Sequence, residues 1–221
     1  MNTIVLYDDS VVIPDGINDL DAFRQWAHSD DFPEAGRICF LDGQVWVDMS
    51  KEQVFTHNQL KQEFNLVIGG LVKANRLGRF FPDGLLVTND RAQLACRPDG
   101  TFVSHQTLKS GRVRLVEAEK GGYLELAGTP DMVLEIVSSS SVEKDTITLP
   151  DLYWRTGIPE YWLVDARSAR LQFDIFRHEP DGYAAVRKQG GWLKSQVFGR
   201  TFRLSRRIDD EGNPEYSLLT R

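Results

Sequence analysis

Residues 132–137 read Met-Val-Leu-Glu-Ile-Val, an apolar run interrupted by a single acidic residue. Such a run predicts a strand that is covered on both faces, and therefore a layered fold with a sheet in its interior. Burying an unpaired carboxylate there would cost roughly several kcal/mol. Glu135 is therefore expected to lie beside a metal ion, a cationic side chain or hydrogen-bond donors.

A second acidic residue, Asp131, precedes the same strand. Because strand side chains alternate, Asp131 and Glu135 share one face with Val133 and Val137. The two carboxylates are nevertheless about 13 Å apart along the strand, whereas the oxygen ligands of one hard cation each lie about 2.0–2.6 Å from it. We expect Asp131 to accept backbone hydrogen bonds where the chain enters the strand, or to support the site indirectly.

Glu135 therefore needs an acidic partner from another strand, and the best candidate is Asp99. It lies in Cys-Arg-Pro-Asp-Gly-Thr-Phe-Val, where an apolar run meets Pro-Asp and then resumes. Two acidic residues from adjacent strands can hold Mg²⁺ or Mn²⁺, which activates water and neutralises charge that builds on a phosphate. The alternative for Asp99 is a turn residue, because Pro-Asp-Gly is a common turn tripeptide.

The pattern of helices and strands predicts an α/β or mixed α+β fold with a mixed central sheet flanked by helices. A hairpin is expected at Asp42-Gly43 and another at 180–182. A long helix is expected from Lys51 to about Asn75, with Ser50 as its cap. A shorter helix is expected before Gly157, and strands before and after it.

These elements predict how the chain is divided into regions. Residues 1–35 are expected to form an N-terminal strand and helix extension, residues 36–207 the main domain with its N-terminal hairpin and C-terminal strands, and residues 208–221 a polar tail.

Composition narrows the functional classes. The chain has 221 residues and a net charge of −6, which argues against a dedicated high-affinity nucleic-acid binder but leaves room for a local basic strip, as at 109–114 or 200–207. No secretion signal and no apolar window of about 18 residues is present, so a cytoplasmic protein without membrane contact is expected. Cys39 and Cys96 lack metal-type spacing and are expected to be small core residues.

His57 lies on the predicted long helix, opposite its apolar stripe. A solvated helical histidine is the commoner case, but a helix at the edge of a cleft could present His57, Glu52 or Glu63 to a site. The chain has no Gly-rich phosphate loop, GxSxG elbow or HExxH motif, so the corresponding enzyme classes lose their main support.

Several segments together resemble the Uma2 family, bacterial endonucleases with the restriction-endonuclease-like PD-(D/E)xK fold. The resemblance rests on "PDMVLEIVSSSS" and "LYWRTGIPEYWLVDAR", and upstream on "LDGQVWVDMS", "THNQLKQEF" and "RPDGTFVS". "SQVFGRTFRL" is similar to the closing strand of the family, so the likeness covers roughly residues 36–207.

The resemblance implies a four- or five-stranded mixed sheet with a Mg²⁺ site near its centre. Asp99 matches the acidic residue of the Pro-Asp element, and Glu135 matches the second acidic position. The sequence departs from the motif at Val137, where the lysine should stand. Relatives that carry the lysine on the following helix have it at the position of Leu149, so Lys144 is the nearest substitute. Gln44 also replaces a common glutamate.

The function expected from this resemblance is Mg²⁺-dependent (or Mn²⁺-dependent) hydrolysis of DNA, with Asp99 and Glu135 as metal ligands and Lys144 and His57 as further catalytic candidates. A homodimer is plausible, because cutting both strands needs two sites or successive nicks. One alternative is a binding or regulatory module that kept the fold but lost the lysine. Another is a metal-dependent hydrolase of a different phosphoester.

Overall fold

The computed structural model describes residues 2–6, 9–33, 35–118 and 120–221, and the side chains from residue 11 onward within these ranges. The α-helices of this part are α1 (Leu20–Ala27), α2 (Leu60–Asn75), α3 (His105–Ser110) and α4 (Leu149–Thr156). Two π-helical segments, Val54–Gln59 and Lys144–Thr148, lead directly into α2 and α4. No helix of these residues is long and apolar enough to cross a membrane.

The strands fall into four sheets. In chain order they are β1 (Asn2–Leu6), β2 (Asp9–Ile13), β3 (Arg37–Leu41), β4 (Gln44–Asp48), β5 (Gly78–Pro82), β6 (Leu86–Asn89), β7 (Leu94–Cys96), β8 (Gly100–Ser104), β9 (Val113–Glu117), β10 (Tyr123–Gly128), β11 (Met132–Ile136), β12 (Glu160–Asp165), β13 (Gln172–Glu179), β14 (Gly182–Ala185), β15 (Leu193–Lys194), β16 (Thr201–Ile208) and β17 (Pro214–Thr220). Two of the sheets have six strands each, in the orders β4-β3-β7-β6-β10-β9 and β14-β13-β12-β11-β8-β5. The smaller sheets are β1-β2 and β15-β16-β17. The resemblance implied a sheet of four or five strands, whereas each large sheet has six.

Both large sheets are mixed, as expected, because β6 and β10 pair in parallel and so do β11 and β12. The predicted buried strand is β11, at the centre of the second sheet. Met132, Leu134 and Ile136 pack on the side of α2, whereas Val133 and Val137 pack on the side of α4. This alternation confirms the predicted two-faced burial, and it gives Glu135 the face toward α4.

The predicted hairpin is present as β3 and β4. Asp42 and Gly43 both have positive φ, 49° and 86°, as a two-residue turn requires. Cys39, on β3, and Cys96, on β7, are buried free thiols in the core, as predicted.

The long helix begins later than predicted. Gln53, not Ser50, precedes its first turn and makes no side-chain capping bond, and the Ser50 hydroxyl instead lies 2.7 Å from that of Ser140. The first turn is π-helical, with Asn58 N donating to Gln53 O. A π-turn takes more residues than an α-turn, so residues before Leu60 are rotated away from the positions that a uniform helical period assigns.

The run Ala92–Ser104 is divided between the two large sheets. β7 belongs to the first sheet and β8 to the second, and the chain crosses between them at Arg97-Pro98-Asp99. Proline removes a backbone donor, which interrupts strand pairing at this point. Asp99 therefore lies at the junction of the two sheets.

The structure also differs from the sequence-based prediction in several other elements. The sequence did not predict β2, α3 or β10. The expected polar tail contains β17, which pairs with β16 and buries Tyr216 and Leu218 by strand alternation. In the N-terminal extension, α1 packs on the first sheet, with the rings of Phe23 and Phe40 5.7 Å apart.

Candidate active site

Asp99 and Glu135 lie side by side on neighbouring strands. β8 pairs antiparallel with β11, and the last pair in register is Gly100 with Leu134, so Asp99 and Glu135 come next. The Asp99 carboxylate accepts a hydrogen bond of 2.8 Å from the backbone N–H of Ile136, the residue after Glu135. The structure thus brings together the two carboxylates that the sequence paired, and they are only 2% and 3% exposed.

Cationic and polar groups surround the Asp99 carboxylate. Arg37 Nη2 donates to Asp99 Oδ1 over 3.3 Å, and His57 Nε2 lies 3.5 Å from Asp99 Oδ2. Burial works to raise the pKa of Asp99, but His57, the Arg37 charge and the Ile136 amide together lower it to about 2. Asp99 is therefore ionised at neutral pH.

Glu135 has fewer stabilising partners. The Tyr153 hydroxyl donates to Glu135 Oε1 over 2.5 Å, and Lys144 Nζ lies 3.7 Å from Glu135 Oε2. Burial raises the pKa of Glu135 to about 8, with the negative charges of Asp145 and Asp99 adding to the rise and Lys144 opposing it. Glu135 is therefore a buried acid whose ionised form Lys144 stabilises only in part.

Lys144 is the basic residue that reaches Glu135. It lies on the π-helical segment before α4, forms an ion pair with Asp145, and places its ammonium 5.5 Å from the centre of the Trp46 ring. Burial acts to lower the pKa of Lys144, but the charges of Glu135 and Asp145 raise it above its ordinary value. Lys144 is therefore a permanently charged donor inside the site.

The serine run holds this segment in place. Ser141 donates to Asp145 Oδ2 over 2.5 Å, and the Asp145 N–H donates to the Ser141 carbonyl over 2.8 Å. Ser140 donates to Asp48 at the end of β4 over 2.7 Å, which ties the loop after β11 to the β3-β4 hairpin. These bonds order the backbone on either side of Lys144.

His57 is buried, in contrast to the solvated histidine that is the commoner case, because the π-turn rotates it toward the second sheet. Its Nδ1 lies 2.7 Å from Glu52 Oε1, while its Nε2 faces Asp99. Glu52 also forms an ion pair with Lys61. Glu63 lies elsewhere, because it accepts the backbone N–H of Leu218.

Asp131 lies outside the carboxylate pair. It accepts hydrogen bonds from Ser104 N over 2.6 Å and from the Thr107 hydroxyl over 2.7 Å, and Arg112 lies 3.1 Å away. These partners belong to the start of α3 and the turn after it. Asp131 therefore anchors α3 to the strand entry, which is the backbone-binding alternative expected for it.

Sequence reasoning missed Arg37 and Tyr153 as neighbours of the site. Arg37 opens β3, where nothing in the local pattern distinguishes it from a surface residue. Tyr153 carried a signal, because it lies on the helix after the serine run and one turn beyond Leu149, the position at which relatives were expected to have a lysine.

The residues present fit a hard divalent cation. Mg²⁺ and Mn²⁺ favour oxygen ligands, and Mg²⁺ in particular is often held by one or two carboxylates with waters completing its shell. Asp99 and Glu135 provide such a pair, and both are buried side by side at the junction of the two large sheets. Among the described residues, no cluster of three or more His, Cys, Asp or Glu side chains is arranged around one ion.

The two mixed sheets with their few flanking helices form a restriction-endonuclease-like fold. The family model of Uma2, described as "Putative restriction endonuclease", matches residues 20–206, and the chain belongs to this family. The crystal structure of "a putative nuclease belonging to DUF820" from Anabaena variabilis is similar in fold, with a TM-score of 0.60 and 18% identity over 82% of this chain and 90% of that one. No curated protein matches the chain.

Proposed function

We propose that this protein is a Mg²⁺-dependent or Mn²⁺-dependent endonuclease that hydrolyses DNA phosphodiester bonds. The observation that carries the proposal is the meeting of Asp99 and Glu135 on neighbouring strands with the Lys144 ammonium 3.7 Å from Glu135. The Uma2 family is described as "Putative restriction endonuclease" and the similar protein from Anabaena variabilis as "a putative nuclease", which supports the same reaction.

Asp99 and Glu135 would hold the cation. A divalent cation bound there supplies Lewis acidity, which lowers the pKa of water and offsets charge on the phosphate. Tyr153 fixes the orientation of Glu135 through its 2.5 Å hydrogen bond, and Arg37 and His57 fix that of Asp99. Both carboxylates are thus oriented before substrate binds, which lowers the reorganisation needed for reaction.

Lys144 acts as a hydrogen-bond donor and positive charge in this mechanism. The charges of Glu135 and Asp145 raise the pKa of Lys144, which favours the protonated ammonium and the role of a donor. It can orient that water and stabilise negative charge that develops on the phosphate oxygens. In this role the side chain of Lys144 replaces the motif lysine that Val137 cannot provide.

The alternative of a non-catalytic module was based on the missing motif lysine. Lys144 places an ammonium beside Glu135, which weakens that alternative. Hydrolysis of another phosphoester uses the same groups, so only the substrate distinguishes it from the proposed function. A homodimer belongs to the proposal as a way of cutting both strands, and molecular mass in solution tests it.

The test is cleavage of supercoiled plasmid by the purified protein with Mg²⁺ or Mn²⁺. We expect nicked or linear product from the wild type and none from Glu135→Gln, which keeps nearly the same shape but cannot ionise to bind a cation. Asp131→Asn, at the other end of the same strand, is the matched control and should cleave. Calorimetry should detect Mn²⁺ binding to the wild type but weaker binding to Glu135→Gln. Wild-type protein that binds Mn²⁺ but is inert on DNA would favour the module or another phosphoester.

A further inference from the structure

A large cleft opens next to the carboxylate site. Its volume is about 720 Å³, and it lies between the N-terminal region, the β3-β4 hairpin and the turn after β5. A smaller cavity of about 40 Å³ beside His57 shares Arg37, Asp48, Ser50 and Glu52 with the lining of this cleft. Arg37 and His57, which both contact Asp99, thus line these neighbouring cavities.

The cleft contains three cationic side chains with different partners. Arg37 pairs with Asp99 and Glu52, and Lys61 pairs with Glu52 and with Asp83 over 2.6 Å. Arg97 has no carboxylate of the described residues within ion-pair distance. Its guanidinium is instead held 4.9 Å from the centre of the Phe32 ring, itself part of the lining.

The acidic residues of the cleft are already engaged. Asp30 pairs with Lys120, Glu52 and Asp83 pair with Lys61, and Asp48 accepts hydrogen bonds from Ser50 and Ser140. Within the part of the chain that the structure describes, Arg97 thus has no direct ion pair, and Asp83 attracts it only from beyond ion-pair distance. A half-buried charge in this position favours binding of an anion from outside. Contact with an aromatic ring restricts the guanidinium to one orientation, so less conformational entropy is lost when it binds.

The position of Arg97 relative to the carboxylate site indicates which anion it binds. Arg97 precedes Asp99 by two residues at the crossing between the sheets, so at most about 7 Å of backbone separates their α-carbons. A phosphodiester neighbouring the bond at the carboxylates would lie within reach. The planar guanidinium binds phosphate oxygens through paired donors, which a lysine cannot match.

We propose that Arg97 binds a backbone phosphate of the nucleic-acid strand in this cleft, adjacent to the phosphate that is cleaved. This inference rests on the proposed function, because it names a contact of the same substrate. Arg97 contributes affinity and register and takes no part in bond breaking.

The test is the affinity of the purified protein for a short fluorescently labelled DNA duplex in EDTA, where no hydrolysis interferes. We expect Arg97→Ala to weaken binding about tenfold and to reduce the slope of log K against log salt concentration by about 0.9, the value for one lost phosphate contact. Arg97→Lys should keep the salt slope and bind with intermediate affinity. Arg170→Ala removes one exposed arginine from the turn between β12 and β13 and is the matched control, with affinity unchanged.

Several results would overturn the inference: no DNA binding by the wild type, equal affinity of Arg97→Ala and wild type, or equal losses in Arg97→Ala and Arg170→Ala. An equal loss in Arg97→Lys and Arg97→Ala together with lower melting temperatures would assign Arg97 a structural role instead. Because binding is measured without metal, a protein that binds DNA through Arg97 but never cleaves it would refute the nuclease proposal alone. A nuclease with unchanged DNA affinity in Arg97→Ala would refute this inference alone.

Discussion

The Lys144 ammonium lies 3.7 Å from the Glu135 carboxylate, although the motif position two residues after Glu135 is occupied by Val137. The π-helical segment after the serine run makes this contact, because it turns the chain back over the face of β11 that Glu135 shares with Val137. Lys144 lies on the helical segment that follows the strand, whereas the motif lysine would lie on the strand itself. Both positions place a positive charge beside the carboxylate of Glu135.

Replacing Lys144 by methionine is expected to reduce turnover of DNA about 100-fold, the usual cost of losing one donor to developing charge. Affinity for Mn²⁺ should not fall, because the substitution removes a positive charge from the neighbourhood of the ligands. Turnover measured at saturating metal, with calorimetry for Mn²⁺, separates the two effects. Parallel losses of turnover and Mn²⁺ affinity would instead show that Lys144 only holds the site together.

The hydroxyl of Tyr153 is expected to affect catalysis through Glu135. Tyr153→Phe removes the 2.5 Å hydrogen bond and should lower turnover about tenfold, with a loss of about 1 kcal/mol in the free energy of unfolding. Tyr183→Phe is the matched control, because the Tyr183 hydroxyl donates to the Ile158 carbonyl and not to the site. Equal turnover in the two variants would contradict the orienting role.

Asp131 should matter for stability and not for hydrolysis. Asp131→Ala leaves the Ser104 N–H and the Thr107 hydroxyl without their acceptor and should cost about 2 kcal/mol in urea unfolding. Turnover per folded molecule should match that of the wild type at a temperature well below the melting transition. A specific loss of turnover would place Asp131 in the catalytic machinery after all.

The attachment of α1 is expected to weaken in acid. Glu125 on β10 accepts hydrogen bonds from Thr88 and Arg24, and His28 Nε2 lies 2.8 Å from it. Burial acts to raise the pKa of Glu125, but these partners lower it below its ordinary 4.5. A carboxylate with a lowered pKa contributes stability above pH 4.5, and the contribution is lost as pH falls further and the folded protein takes up the proton.

Glu125→Gln should therefore be less stable than the wild type by about 2 kcal/mol at pH 7, and the difference should shrink below pH 4.5. Urea unfolding of both proteins across this range measures it. A difference that stays constant down to pH 3 would mean that the charge of Glu125 is not what stabilises the contact.

The sequence alone determined the features that depend on neighbouring residues. Asp42-Gly43 specified a two-residue turn, alternation specified the two faces of β11, and the length of a strand separated Asp131 from Glu135. The same geometry required a partner for Glu135 from another strand. These predictions succeeded because strand and turn geometry is fixed by local backbone sterics.

Tertiary structure decided how the predicted candidates meet and which further side chains join them. The π-turn buried His57, the crossing at Pro98 brought Asp99 to a junction of two sheets, and Arg37 reached Asp99 from the start of β3. None of these contacts follows a local period, because each depends on the relative placement of elements far apart in the chain. The sequence therefore determined that Glu135 needs compensation and pointed to Asp99 and Lys144, whereas only packing decided that Tyr153 contacts Glu135 and that Arg37 contacts Asp99.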